Sequence, residues 1–155
     1  MLISEFKKKL EYASSNIDDE AGRIIANNQN EIYDLVRENQ LANNEMGDGR
    51  SIGYYANDYI KSRINPISYS GVLSNYGFDK LKGSPYNFRW TDGVWNNFLH
   101  KYSNFELEIF NIDKKIDKLK DEYGSNLIEM QPENQEILRN EYIYPNITKW
   151  LKEIL

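Results

Sequence analysis

Phe98–Asn111 reads FLHKYSNFELEIFN, and this stretch decides the fold class. In its second half Phe105, Leu107 and Ile109 alternate with glutamates, which is the period of a strand with one buried face. The pair Ser103-Asn104 offers a two-residue turn back to the residues before it. The stretch therefore predicts an antiparallel β-hairpin near residues 98–111.

The sequence before the hairpin begins with helical periodicity. Apolar residues recur every four positions from Leu2 to Tyr12, with lysines on the other face, and predict an amphipathic helix of three turns. A second, longer helix is predicted from about Asp18 to about Leu41, because acidic residues crowd its first turn, where the helix dipole favours them. Asparagines between Asn27 and Asn30 weaken its middle and allow a break there.

The middle of the chain is less regular. Met46–Gly49 reads Met-Gly-Asp-Gly and predicts a tight turn, in which the glycines supply positive φ angles. Tyr54–Ile64 has the spacing of a short helix, which would stop before Asn65-Pro66. Ser68–Pro85, with three glycines among tyrosines and serines, reads as a long loop of the kind that is usually functional or ordered by a partner.

Helical spacing returns after the hairpin. Ile112, Ile116 and Leu119 predict one helix, with Asp113 as the candidate N-cap and Gly124 as the stop.

Beyond it, Leu127-Ile128 is predicted to add a short strand, and Pro132 and Pro145 each mark the start of a helix. The clearest periodicity of the chain is the stripe formed by Ile147, Trp150, Leu151 and Ile154. The order of elements predicts an α+β fold with N-terminal helices, a small antiparallel sheet and C-terminal helices. We expect a single domain over 1–155, with a helical segment at 1–45 and an α+β part at 46–155.

Composition excludes several classes of function. The chain has 19 basic and 24 acidic residues and a net charge of −5, which argues against a protein that coats a phosphate backbone. It has no cysteine, so thiolate metal sites and cysteine nucleophiles are excluded. No apolar run approaches the roughly 18 residues of a membrane span. We therefore expect a soluble chain made in the cytoplasm, without a membrane partner.

The sequence offers no convincing catalytic, metal or cofactor site. His100 is the single histidine and lies inside the predicted hairpin, facing solvent or an aromatic layer, with no nucleophile motif nearby. The acidic residues of 113–122 alternate with lysines, so ion pairing on a solvated face explains them without a metal. Gly47–Gly53 has the wrong spacing for a phosphate-binding loop. We expect a protein that is not an enzyme, with no catalytic, metal or cofactor-binding residues.

Aromatic residues concentrate between Tyr54 and Phe110. One interpretation is that their rings build the core; another is that some stay exposed and anchor a subunit contact. Base stacking is a third option, which the net charge disfavours. The candidate subunit-interface residues are Tyr54, Tyr55, Tyr76, Phe78, Tyr86, Phe88, Trp90 and Trp95.

Several blocks from Met46 onward carry a resemblance to a known family. They are Gly47-Asp48-Gly49-Arg50-Ser51-Ile52-Gly53-Tyr54, Arg89-Trp90-Thr91-Asp92-Gly93-Val94-Trp95, Lys118-Leu119 with Tyr123-Gly124, Glu133-Asn134, and Tyr144-Pro145. In this order the blocks resemble small structural proteins of tailed bacteriophages, best represented in Bacteroides-infecting and crAss-like phages. The family usually has Arg-Asp-Thr-Gly before an aromatic pair, and the second block departs from this at Trp90–Gly93.

The resemblance implies a structural virion protein without enzymatic activity: a tail-completion, neck or head-to-tail connector protein that forms a ring. The implied partners are copies of itself, the portal and other neck or tail proteins, with DNA passing through without sequence-specific binding. The implied location is the virion, after assembly in the host cytoplasm. We expect Ser68–Pro85 and the Trp90–Trp95 block to form one contact patch, and the N-terminal helix part of another. The alternative is a non-virion, phage-encoded binding protein, either an assembly factor or an inhibitor of a host protein.

Overall fold

The computed structural model describes residues 2–53 and 93–155. The first part contains α1 (Ile3–Asn27), α2 (Gln29–Arg37) and a 3₁₀ turn (Leu41–Asn43). The second contains α3 (Gly93–Asn96), β1 (Phe98–Ser103), β2 (Glu106–Asn111), α4 (Ile116–Tyr123), α5 (Pro132–Ile137), a π-helical segment (Leu138–Ile143) and α6 (Tyr144–Ile154). The predicted α+β class is confirmed. The predicted helix at Tyr54–Ile64 and loop at Ser68–Pro85 lie outside the described residues.

The first helix is longer than predicted. α1 runs without interruption through residues 13–17, where the sequence analysis placed a gap between two helices. Polar side chains in this stretch turn back onto the helix: Ser15 Oγ donates to the Glu11 carbonyl at 2.8 Å, and Asn16 Nδ2 to the Tyr12 carbonyl at 2.8 Å. The break allowed by the asparagines is confirmed at Asn28, whose φ of −116° separates α1 from α2.

The hairpin is confirmed, but its turn lies one residue further along than predicted. Ser103 pairs with Glu106, so the two turn residues are Asn104 and Phe105, with φ of 51° and 61°. Two-residue hairpin turns of this type need positive φ at both positions, which asparagine tolerates well. Phe105 is therefore an exposed turn residue, while Leu107 and Ile109 share the inner face of the hairpin.

The hairpin tip is tied to α1 by Asp18. Its two carboxylate oxygens accept the backbone N–H groups of Phe105 at 2.9 Å and Asn104 at 3.1 Å. The Tyr102 hydroxyl donates to the same carboxylate, and this bond is the main reason that the pKa of Asp18 is lowered. The Tyr102 ring lies so close to α1 that a Cβ added at Gly22 would be 2.9 Å from Cδ1 of that ring.

The core consists of two clusters, one on each side of α2. The larger contains Tyr33, Val36, Leu41, Met46, Ile52, Val94, Trp95, Phe98, Ile116, Leu127 and Ile128. The smaller contains Ile25, Ile32, Leu35 and Leu138. The prediction of a strand at Leu127-Ile128 is wrong, because these residues lie in a turn. Both are fully buried, so the apolar pair indicated burial and not strand pairing.

A buried network of amide side chains joins the two halves of the described chain. Gln40 donates through Nε2 to the Glu129 carbonyl at 2.8 Å, and its Oε1 accepts from the Gln131 backbone N–H and from Asn134 Nδ2. Asn134 Nδ2 also donates to the Leu35 carbonyl at 2.9 Å. Each buried amide thereby keeps partners that it would otherwise find in water.

The turn at Met46–Gly49 is confirmed, although its two glycines serve different purposes. Gly49 has a φ of 79°, as predicted. Gly47 is needed for space instead, because a Cβ there would lie 2.6 Å from the Glu129 carbonyl oxygen. Gly47 also donates its N–H to the Asn126 carbonyl at 3.0 Å, which holds the two segments together.

The C-terminal segment is one continuous helical run rather than two helices with separate starts. Pro132 begins α5 as predicted, but Pro145 follows the π-helical segment without a break. The backbone N–H of Tyr144 donates to the Arg139 carbonyl, five residues back. Proline has no N–H and crowds the carbonyl four residues before it, so a wider turn just ahead of Pro145 accommodates the ring.

We predict that Trp95→Ala destabilises the protein by about 3–5 kcal/mol, since it removes a large aromatic side chain from the core. Trp95 is 6% exposed, whereas Leu99, four residues along, is 42% exposed. Urea unfolding followed by circular dichroism measures the change, with Leu99→Ala as the control, for which we expect about 0.5 kcal/mol or less. Equal effects of the two substitutions would contradict the assignment of Trp95 to the core.

We predict that Asp18→Asn lowers stability at neutral pH and that the deficit shrinks in acid. The pKa of Asp18 is lowered from its ordinary value of 3.8, chiefly by the Tyr102 hydroxyl and then by the Phe105 N–H. A lowered folded-state pKa stabilises the protein above the unfolded value, and this contribution is lost as the pH falls through the folded value. Thermal unfolding of both proteins from pH 7 to pH 2 tests this. Asp19→Asn, at an exposed neighbour, is the control. If the stabilities of Asp18→Asn and the parent change in parallel with pH, the stabilising role of the Asp18 carboxylate is contradicted.

Candidate interaction surface

The structure separates the eight predicted interface residues into two groups. Trp95 lies in the larger core cluster, 6% exposed, together with Val94 and Phe98. At this position the structure agrees with the interpretation that the aromatic rings build the core. The other seven lie outside the described residues: Tyr54, Tyr55, Tyr76, Phe78, Tyr86, Phe88 and Trp90.

His100 takes part in packing on the inner face of the hairpin. Its Nδ1 and the Tyr33 hydroxyl are 2.8 Å apart, and the centroids of the two rings are 5.9 Å apart. Burial raises the pKa of Tyr33, with the Arg37 guanidinium acting in the opposite direction. Within 2–53 and 93–155, no group of three or more histidine and acidic side chains could hold a metal ion. In this environment His100 supports the fold.

The first turns of α1 present an uncovered apolar stripe. Leu2 is 69% exposed, Ile3 89% and Phe6 43%, and Leu10 is exposed as well. Further along the same helix the stripe is covered, since Ala13, Ala21 and Ile24 are buried. The predicted amphipathic helix is therefore present, but the beginning of its apolar face has no partner within the described chain. We refer to Leu2, Ile3 and Phe6 as the α1 tip.

The C-terminal helical run packs beside α1. α1 and the C-terminal helical run are antiparallel: Ile25 and Leu138 share a core cluster, and Lys9 Nζ donates to the Leu155 carbonyl at 3.3 Å. The last residues of α6 therefore lie beside Lys9 of α1. The apolar stripe of α6 is only half-buried, and no residue of that helix is buried.

An apolar groove lies between the later part of α1, the hairpin and the C-terminal helical run. It has a volume of about 800 Å³, and its lining includes Ile17, Ala21, Leu107, Ile109, Ile143 and Ile147. A groove of this size with aliphatic walls is of the kind that receives apolar ligands or side chains.

The groove lining also includes polar residues. They include Glu108, Glu129, Gln135 and, from the π-helical segment, Arg139. Tyr144 also lines the groove and is 57% exposed. With largely aliphatic walls, the groove is suited to receiving an apolar side chain or an apolar helix face.

Sequence reasoning identified the α1 stripe and missed the groove. The stripe can be predicted from residues that are close in sequence, because a helix places every fourth residue on one face. The groove is built from three segments that are distant in sequence, and its aliphatic residues carry the ordinary pattern of core positions. No helix among the described residues is both long enough and apolar enough to cross a membrane.

Comparison of the chain with protein-family models, with curated proteins and with solved structures found no match in any of the three.

Proposed function

We propose that the chain is a structural virion protein of a tailed bacteriophage, part of the neck, the head-to-tail connector or the tail-completion ring. The sequence blocks that resemble that family motivate the proposal. The observation that carries it is the presence of two different apolar surfaces on one chain, the α1 tip and the apolar groove. A subunit of a ring needs two such patches, because its two neighbours contact different sides of it.

The exposed apolar area supports adhesion rather than catalysis. Leu2 and Ile3 project into solvent at 69% and 89% exposure, which is costly for a chain that stays alone. In an assembly the same side chains would be covered by a neighbouring subunit. The proposed partners are copies of the chain, with the portal and other neck or tail proteins above and below the ring.

Charge is consistent with a conduit for DNA. The net charge of −5 disfavours retention of a passing duplex, since retention depends on lysine and arginine contacts with phosphates. We propose that DNA passes through the ring without sequence-specific binding.

The proposal predicts that the chain is a stoichiometric component of mature particles. Quantitative mass spectrometry of particles purified from the phage that encodes it should find it at a fixed copy number, in constant ratio to the portal protein through successive density gradients. A cryo-electron reconstruction of the neck should then contain a ring into which the described helices and hairpin fit.

The same experiment tests the alternative. A chain that is abundant in infected cells but missing from purified particles would contradict the virion assignment and favour an assembly factor or an inhibitor of a host protein. The control is a known non-virion protein of the same phage, which should fall to background in the gradient fractions that hold particles.

A further inference from the structure

We propose that Asp18 selects between two registers of the hairpin, and that without its carboxylate the turn shifts by one residue to Ser103-Asn104. In the described register the turn residues are Asn104 and Phe105, with φ of 51° and 61°. Left-handed φ angles suit asparagine, but they are strained for a bulky residue such as phenylalanine. A turn that places Phe105 at such an angle therefore needs a compensating interaction.

Asp18 on α1 supplies that interaction. Its carboxylate oxygens accept the N–H of Phe105 at 2.9 Å and that of Asn104 at 3.1 Å, so both turn residues are held at once. The Tyr102 hydroxyl, on the strand before the turn, donates to the same carboxylate. Hydrogen bonds to a charged acceptor are stronger than neutral ones. An asparagine side chain offers one neutral carbonyl oxygen in place of two charged oxygens, so it replaces this contact only in part.

The alternative register keeps every strand side chain on its present face. Moving the turn by one residue slides one strand past the other by two residues, and strand side chains alternate with a period of two. Tyr102 would then face Phe105 instead of Leu107. In the same way, His100 would face Leu107 instead of Ile109. The inner face of the hairpin therefore gains the Phe105 ring, which is 66% exposed in the described register.

A contact at the open end of the hairpin opposes the shift. Asn111, which is buried, donates through Nδ2 to the Val94 carbonyl, and this bond is lost when the strands slide. Asp18 and Asn111 therefore favour the described register, whereas burial of the Phe105 ring and relief of its backbone strain favour the shifted one. The register depends on this balance, and Asp18 is the contributor at the hairpin tip.

Disulfide trapping measures the register directly, because the chain contains no cysteine of its own. Lys101 faces Glu108 in the described register and would face Glu106 after the shift. All three side chains are exposed, so double-cysteine variants of the full chain leave the core intact. Cβ atoms of directly opposite residues are about 5 Å apart, close to disulfide geometry, whereas diagonal neighbours are about 7–8 Å apart. Lys101→Cys with Glu108→Cys therefore reports the described register, and Lys101→Cys with Glu106→Cys reports the shifted one.

With Asp18 in place, we expect the 101–108 disulfide to form at least about ten times faster than the 101–106 disulfide under mild oxidation. Asp18→Asn should lower this ratio of rates about ten-fold or more, while the matched control Asp19→Asn, at an exposed neighbour, should leave it unchanged. Phe105→Gly added to Asp18→Asn should restore the original ratio, since glycine adopts a positive φ without strain and has no ring to bury. A general loss of stability on removing the carboxylate would not be rescued in this way. Circular dichroism of each variant verifies that it is folded.

A second variant leaves Asp18 in place and tests the inference even if Asp18→Asn does not fold. Ser103→Gly provides a glycine at the first position of the shifted turn, so the 101–106 disulfide should form about five times faster than without this substitution. An unchanged ratio in Ser103→Gly, or in a folded Asp18→Asn, would overturn the selection of register by Asp18. So would a failure of Phe105→Gly to restore the ratio. Whether the chain is a virion component is decided separately, by its presence in purified particles.

Discussion

α2 must be covered on two sides, and the rest of the described structure follows from this constraint. Ile32 and Val36 are fully buried, and Tyr33 and Leu35 nearly so, although these residues do not share one face of the helix. At 100° per residue these four side chains span about 160° of the circumference, an arc too wide for one neighbouring element to cover. The hairpin and α3 enclose it on the side of Tyr33 and Val36, while α1 and the C-terminal helical run enclose it on the side of Ile32 and Leu35.

The features that the sequence predicted are those with a local cause. Strand alternation located the hairpin, the asparagines located the break at Asn28, and Gly124 marked the end of α4. The features that it did not predict depend on distant partners. The hairpin turn moved to Asn104-Phe105, where the carboxylate of Asp18 accepts both turn N–H groups, and nothing near residue 104 signals a partner on α1. The roles of Gln40 and Asn134 are similarly non-local, because amide side chains of that kind more often face water.

The candidate interaction surface also contains one feature that could be predicted from the sequence and one that could not. The apolar stripe at the start of α1 could be predicted from its spacing, but its exposure could not, since exposure depends on which segments pack against the helix in the fold. The groove could not be predicted, because the hairpin, α1 and the C-terminal run meet only in the fold. For Trp95, composition allowed both a core and an interface position, and its place beside Val94 and Phe98 in the fold puts it in the core.

The π-helical segment has a consequence for how the C-terminal run meets α1. Leu138 and Ile143 are five residues apart, yet both belong to the surface that faces the smaller core cluster, and Ile147 follows four residues later along the groove. In a regular α-helix each residue turns by about 100°. The residue five positions after Leu138, which is Ile143, would then point about 100° away from the residue four positions after Leu138. The wide turn absorbs this rotation, so the helix carries one residue more than its contact requires. Chain length and side-chain direction are thus uncoupled at one point, and Ile143 and Ile147 line the same groove despite the extra residue.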